Sequence, residues 1–507
     1  MSTGVAMAAP FDDINEQQQR AKIQEREQQA RIDAPMVKHK DDELKQNWQL
    51  PKEEESFRIN QFIIDSNTED FQWLQDELKE FENQKIGCKG LAVILDKIKT
   101  KIKRRGFITT NAYILEQDIK SRKLIIKIVP GYIEDIKFAG KDKTGIWHNA
   151  FPCRPGDILN IYDLDQGIEQ MRQVPYQNVK IKLEPGQNAG QSVVLIEVDR
   201  TKSWSAGISW DDSGVSATGK HQGSAHISFF NPTGLNDVFN ATFSHDTEKT
   251  KECGSQNYSI YYKVPYGKYT FYINHYFNEY NQAIPALIPY SQRGTNYSWE
   301  IGMQRLLYRD NHSKTQLIAK ILHRHKQSFL NNEEIKVQEL KTTAYQLGIN
   351  HRQYIGTGMI DALIYIQKGV PVLGAKPGLD DHNPDYMTTR YCMLGYNFYY
   401  GTPFNLCGAS ANYKLIIRGQ YTKDILYSAD HFSIGGRYTV KGFREGNSLA
   451  AENGIAIKNE ISFPLKKCQL EPYIGIDYGH VWGPSDTFNI GKSLAGAYLG
   501  IRGKADR

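Results

Sequence analysis

The stretch His431–Phe443, HFSIGGRYTVKGF, sets two cations, Arg437 and Lys441, among three glycines, Gly435, Gly436 and Gly442. A glycine-rich loop cradles phosphate when its lysine follows the last glycine and opens a helix, because backbone N–H groups then converge on the anion. Here Lys441 precedes Gly442, and Tyr438, Thr439 and Val440 are strand formers. That order argues against a phosphate loop. Other candidate chemistry is thin. His323 and His325 share one face of a strand, but no carboxylate or cysteine stands at ligand spacing, so no metal site is expected. The run DDHNPD over 380–385 reads as an exposed acidic loop rather than a calcium site. Six scattered cysteines form no CxxC pair, which disfavours zinc and thioredoxin-like chemistry. Cys392 and Cys407 could face each other on neighbouring strands, but free or buried thiols are the favoured reading for most of the six. No nucleophile-and-base constellation stands out, so no catalytic residue and no cofactor is assigned.

The elements that carry these residues decide what they do. The chain has 507 residues and a net charge of +5, too near balance for a nucleic-acid-binding field. Mean hydropathy is -0.55, and no apolar run approaches the ~18 residues of a membrane-spanning helix. A membrane β-barrel stays open, because its strands hide their apolar faces in alternation. Of 30 tyrosines, only Tyr113, Tyr132, Tyr162 and Tyr176 precede residue 203, an enrichment that suits the aromatic girdles of such a barrel.

Residues 1–10 contain Ala6-Met7-Ala8, which looks like the small-residue end of a signal peptide without its charged and apolar parts. Residues 11–33 form an almost wholly polar helix, of the kind that crosses solvent or needs support. Residues 34–56, with Pro35 and Pro51, read as a linker. Between 57 and 132 the order is strand, helix, paired strands: FRINQFII, then Leu91, Ile94, Leu95, Ile98 and Ile102 at helical spacing, Gly106 as the stop, then NAYILEQDI and KLIIKIVPG. Residues 133–202 repeat it, with Leu164, Ile168 and Met171 on one helix face. From 203 to 507 the pattern is strands alone, about fourteen by count. In IAIKNEISF, Ile455, Ile457, Ile461 and Phe463 oppose Lys458 and Glu460; in GIDYG, Ile474, Ile476 and Tyr478 face outward and Asp477 inward. Alternation of this kind is what lipid outside and water inside require.

This order, a polar helix, a linker, two α+β modules and a barrel, resembles the TpsB outer-membrane transporters of two-partner secretion, of the Omp85 superfamily. GCKGLAVILDKIKTKIKRRGFITTNAYILEQDI resembles their first POTRA domain, RPGDILNIYDLDQGIEQMRQVP the second, and SFFNPTGLND the first barrel hairpins. GGRYTVKGF resembles the V-R-G-[YF] tip of a long extracellular loop, about 428–452, that folds back into the barrel. The family arginine falls on Lys441, flanked by Val440, Gly442 and Phe443, with Gly435, Gly436 and Arg437 before it. Its implied partner is Asp477 in a strand motif that includes Gly475, Ile476 and Gly479.

The resemblance implies a mainly β fold: a transmembrane antiparallel β-barrel, sixteen-stranded in the family, behind two POTRA domains and a plug helix over 11–33. It implies an outer-membrane pore of a Gram-negative bacterium with periplasmic POTRA domains. Its expected partners are a TpsA exoprotein with an N-terminal secretion domain, outer-membrane lipid and the BAM machinery that inserts barrels; the expected state is a monomer. No ATP-binding motif is present, so exoprotein folding outside would drive export. An assembly factor of the BamA or TamA kind is the alternative; the plug helix and only two POTRA domains argue against it. Two departures stand out. Lysine at 441 cannot make the bidentate fork of arginine, so a looser clamp is expected. By the family order GAYLGIRG would be strand fourteen, which implies that the last two strands would be missing here, as expected of a fragment, a frameshifted gene or a fourteen-stranded closure.

Overall fold

The computed structural model describes residues 20, 23–24, 26–34, 36–39, 48–140, 145–212, 214, 218–248, 253–284, 290–378, 381, 383–443, 448–465 and 468–503. The proposed signal remnant, the first part of the polar helix, linker residues 40–47, and Asp380 and His382 lie outside the described residues.

In the first module, strand Gln61–Asp65 runs parallel to Lys123–Val129, which pairs antiparallel with Asn111–Tyr113. Helices α2 (Leu74–Leu78) and α3 (Cys88–Arg104) cover that sheet. Their apolar stripe, Leu74 and Leu78, then Ile94, Ile98 and Ile102, is buried against Phe62, Leu124 and Ile126. The strand foreseen over NAYILEQDI stops at Tyr113. The Gln117 carboxamide then takes the ladder's place beside Ile125, accepting from its N–H at 2.8 Å and donating to its C=O at 2.9 Å.

In the second module, Tyr132–Phe138 runs parallel to Gln191–Arg200, which pairs antiparallel with Gln177–Pro185. Helix α4 (Ile161–Arg172) packs Leu164, Ile168 and Met171 onto that sheet. Asn160 caps α4 by accepting from Tyr162 N–H at 2.9 Å, and its Nδ2 donates to Arg105 C=O at 2.9 Å, tying the end of α3 to the start of α4. The other face of α4, Asp165, Gln166, Glu169 and Gln170, is polar and yet fully buried. Buried polar groups need partners, and Asp165, Glu169 and Gln170 find theirs on the barrel.

Among the described residues the barrel is a 15-stranded sheet: fourteen strands from Trp204–Asp211 to Ser493–Gly503 in one antiparallel meander, with the short Glu333–Glu334 off that path. The foreseen alternation holds. In Leu470–Trp482, Ile474, Ile476 and Tyr478 are 54%, 63% and 43% exposed on the outside, whereas Asp477 is buried within. Lys458 and Glu460 face the same interior from Asn453–Ser462. Among the described residues no helix is long and apolar enough to cross a membrane; the outward apolar strands carry that role. Cys392 and Cys407 do not face each other. Cys392 opens and Cys407 follows one strand, Cys392–Leu406, so about 50 Å of extended chain at ~3.4 Å per residue separates them.

Candidate functional site

After strand Ala409–Thr422 the chain does not simply turn. It enters the lumen, packs its glycine-rich stretch against the wall, and next joins that wall at Asn453–Ser462. Gly435, Gly436 and Gly442 hold φ of 96°, 105° and 98°, a region closed to most side chains, which is why glycines stand there. Phe432, Ile434, Val440, Leu449 and Ala451 then pack with Ala456 and Val481 of the wall into a small apolar core inside the barrel. Ile434 and Val440 are fully buried, each worth about 1.5–3 kcal/mol relative to exposure.

The wall is notched to receive them. A Cβ at Gly479 would stand 2.8 Å from Ile434 Cγ2 and 2.9 Å from Val440 Cγ2, one at Gly496 would meet the Lys441 carbonyl oxygen, and one at Gly454 the Phe432 ring. Three adjacent strands therefore each give up a side chain where the loop lies.

The polar contacts take a different form from the ion pair foreseen between Lys441 and Asp477. It is the Lys441 backbone N–H that donates to Asp477 Oδ2, at 3.1 Å. The ammonium lies 3.7 Å from Glu460 Oε2 and 3.7 Å above the Tyr498 ring. Lysine carries one compact charge on a flexible stem, so it can leave the fixed carboxylate to its own main chain and serve the next strand and an aromatic face. Glu460 also accepts from Arg502 at 2.8 Å and from the Tyr498 hydroxyl at 3.3 Å. Glu460, Tyr498 and Arg502 were not singled out from the sequence. Register was the missing signal: Glu460, Gly475 and Tyr498 form one row over three strands, and the tyrosine crosses the glycine to reach the glutamate. Arg437, at the loop tip, pairs with Asp212 at 3.5 Å on the exposed rim, where such pairs contribute about 0–1 kcal/mol.

A helix shares the lumen. Helix α1, helical at 20, 23–24 and 26–33, touches inward side chains of three strands. Arg20 donates to Gln420 Oε1 at 2.9 Å and to the loop carbonyl of His431 at 3.3 Å. Glu27 pairs with Lys320 at 3.0 Å, Gln28 accepts from Arg418 at 3.2 Å, and Arg31 reaches Asp361 at 3.5 Å. These contacts are polar and few, unlike the apolar seat of the loop.

The chain leaves α1 through a junction between α4 and the hairpin turn at 310–312. Glu169 accepts from Arg309 at 2.7 Å, Lys314 at 2.8 Å and Val37 N–H at 2.7 Å. Burial pushes its carboxyl upward, but Lys314 and Arg309 outweigh that and hold it below the usual range. His39 Nε2 stands 2.8 Å from Asp165 Oδ2. That hydrogen bond raises the imidazole above its ordinary value, against burial and the nearby Arg309. A raised folded value means the contact contributes fully below about 6.5 and is lost as pH rises through the folded value. With Asp165 and Arg309 the charges acting on the ring, channel opening in planar bilayers is expected to become more frequent as pH rises from about 6 to about 8, and His39→Gln to flatten that dependence.

The remaining sequence candidates are held otherwise. His323 bonds Thr343 Oγ1 at 2.9 Å and His325 bonds Glu339 at 3.0 Å. Asp381 accepts from Thr388 Oγ1 at 2.7 Å and pairs with Arg390. Among the described residues no His, Cys, Asp and Glu side chains cluster as a metal site.

The family model described as haemolysin secretion/activation protein ShlB/FhaC/HecB matches residues 190–503; a ShlB-type POTRA model matches 57–131 and a second POTRA model 132–185. The chain is 31% identical over 516 residues to outer membrane transporter CdiB-2 of Burkholderia pseudomallei (strain 1026b), covering 98% of this chain and 88% of that protein. It is 25% identical over 393 residues to hemolysin transporter protein ShlB of Serratia marcescens, covering 76% and 68%. The solved structure of CdiB from Acinetobacter baumannii superposes with a TM-score of 0.87 at 26% identity, over 99% of this chain and 94% of that one.

Proposed function

Because the chain belongs to the ShlB/FhaC/HecB family, the outer-membrane transporters of two-partner secretion, we propose that it exports an exoprotein through its own barrel after displacing α1. The POTRA modules receive the exoprotein's N-terminal secretion domain in the periplasm, and the infolded loop re-forms the lumen around the moving chain. The barrel works as a BAM-inserted monomer, with Ile474, Ile476 and their outward neighbours against lipid. The observation that carries this is the filling of the lumen. Among the described residues two segments occupy it, and neither is a strand of the barrel. One, α1, is held by scattered polar contacts that exchange readily with water.

In this reading Asp477, with the main chain of Lys441, fixes the loop, and Val440 and Phe443 seat it against Gly479 and its neighbours. Asp477→Ala is expected to lower export about tenfold or more, the range of losing a charged hydrogen bond inside the protein. Outer-membrane abundance is expected to stay unchanged, and Asp477→Asn, which keeps an acceptor, is expected to retain most export. The check is exoprotein in the medium against transporter in the membrane fraction. Undiminished export by Asp477→Ala overturns the role of this contact.

A further inference from the structure

The short segment 36–39 is bound in an unusual way. Val37 N–H donates to Glu169 Oε1 at 2.7 Å, and Val37 C=O accepts from Arg309 at 3.2 Å. His39 N–H donates to Asn311 Oδ1 at 2.6 Å, and His39 C=O accepts from Asn311 Nδ2 at 2.8 Å. All four bonds fall on main-chain atoms of alternate residues, the period of an extended strand. A single carboxamide takes both groups of one residue, as a neighbouring strand would. These main-chain bonds read no side chain and suit nearly any extended segment; the linker adds contacts of its own, His39 to Asp165 and Lys38 over the Tyr354 ring.

The receiving groups are fixed without the linker. Lys314 and Arg309 hold Glu169. Asp310 accepts from His312 N–H at 2.7 Å and Ser313 N–H at 2.6 Å, which sets the turn that carries Asn311. The position is also that of an entrance. Only three residues before Val37, Ala34 C=O already accepts from the lumen-facing Arg352 at 2.8 Å. A chain bound at the clamp runs directly into the barrel.

We propose that Glu169, Arg309 and Asn311 form a main-chain clamp for the extended exoprotein at the periplasmic mouth, and that the linker occupies it as an internal stand-in. The proposal rests on the transport reading above. Tethering gives the linker a high effective concentration, so it holds the clamp closed until a longer segment competes. The exoprotein then gains a grip at the place where the linker loses one, and withdrawal of α1 is coupled to loading.

The test separates clamp from linker. Asn311→Ala removes the groups that bind the His39 main chain and leaves the Glu169 ion cluster and the His39–Asp165 contact alone. Val37→Pro removes the linker's donor to Glu169 and leaves the clamp intact. Both are expected to raise the frequency of channel opening in planar bilayers. Export per transporter is expected to fall about tenfold in Asn311→Ala, the order of two lost hydrogen bonds, and to hold or rise in Val37→Pro. Asn311→Asp keeps the acceptor and loses the donor, so an intermediate fall is expected, and it serves should the alanine variant not reach the membrane. Full export by the Asn311 variants overturns the clamp while leaving transport standing. A wild-type chain that exports no exoprotein removes the transport reading and the clamp with it.

Discussion

Glu169→Gln is expected to cost about 3–5 kcal/mol and to abolish export, because it strips the common counter-charge from two buried cations. Glu169 is fully buried, Arg309 and Lys314 are nearly so, and both contacts are short, at 2.7 and 2.8 Å. The glutamine still offers an acceptor to Val37 but no charge. Asp165, 3.6 Å from Arg309, offsets only part of the loss and is itself engaged with His39. Lys314→Met should be milder, since Glu169 and Arg309 would remain paired and a methyl-tipped chain fills the same space. The check is protease access to the 305–315 hairpin in a urea series on purified protein, beside export. The order expected is wild type, Lys314→Met, then Glu169→Gln at the lowest urea; wild-type resistance in Glu169→Gln would mean the cations find water instead. The same pair sets an acid limit. A depressed carboxyl contributes fully above its ordinary value, near about 4.3, and that contribution is lost as pH falls through the lower folded value.

Why that cluster went unseen, while the barrel did not, follows from what periodicity carries. Ile455, Ile457 and Ile461 against Lys458 and Glu460 is a period of two, and a strand can turn only one of those faces to water. The faces were thus legible residue by residue, and so was Asp477 pointing inward. On α4 the stripe Leu164, Ile168 and Met171 was equally plain. Its opposite face, Asp165 and Glu169, reads like any solvated stripe until the hairpin carrying Arg309 and Lys314 closes over it. Pairing of distant charges is a product of the assembled molecule, and no local pattern encodes it. Lys441 shows the same limit at finer scale. The resemblance placed it beside Asp477, but whether its ammonium or its main chain makes the contact depends on Glu460 and Tyr498, two strands that meet only by register. For Cys392 and Cys407 strand length decides between the two readings: the fifteen residues of Cys392–Leu406 hold them apart, and both thiols are free.

Gly496→Val is expected to stop export from the opposite side of the same contact. Gly496 pairs with Asp477 across the two strands, and the main chain of Lys441 lies over it to reach the carboxylate. A side chain here would strike the Lys441 carbonyl oxygen, which is backbone and cannot rotate away. Overfilling a packed site costs about 1–3 kcal/mol, enough to lift the loop tip and to lower export about ten- to a hundredfold. The strand itself should tolerate valine, a good strand former, so the protein should still reach the outer membrane. Gly491→Ala is the control, since a Cβ there meets open space. Combining Gly496→Val with Asp477→Ala sharpens the test. If both act by freeing Lys441 from the wall, the second substitution has nothing left to remove, and the double variant exports no worse than the poorer single one. Multiplied losses would mean that the valine acts elsewhere, on the Val440 seat rather than on the hydrogen bond to Asp477.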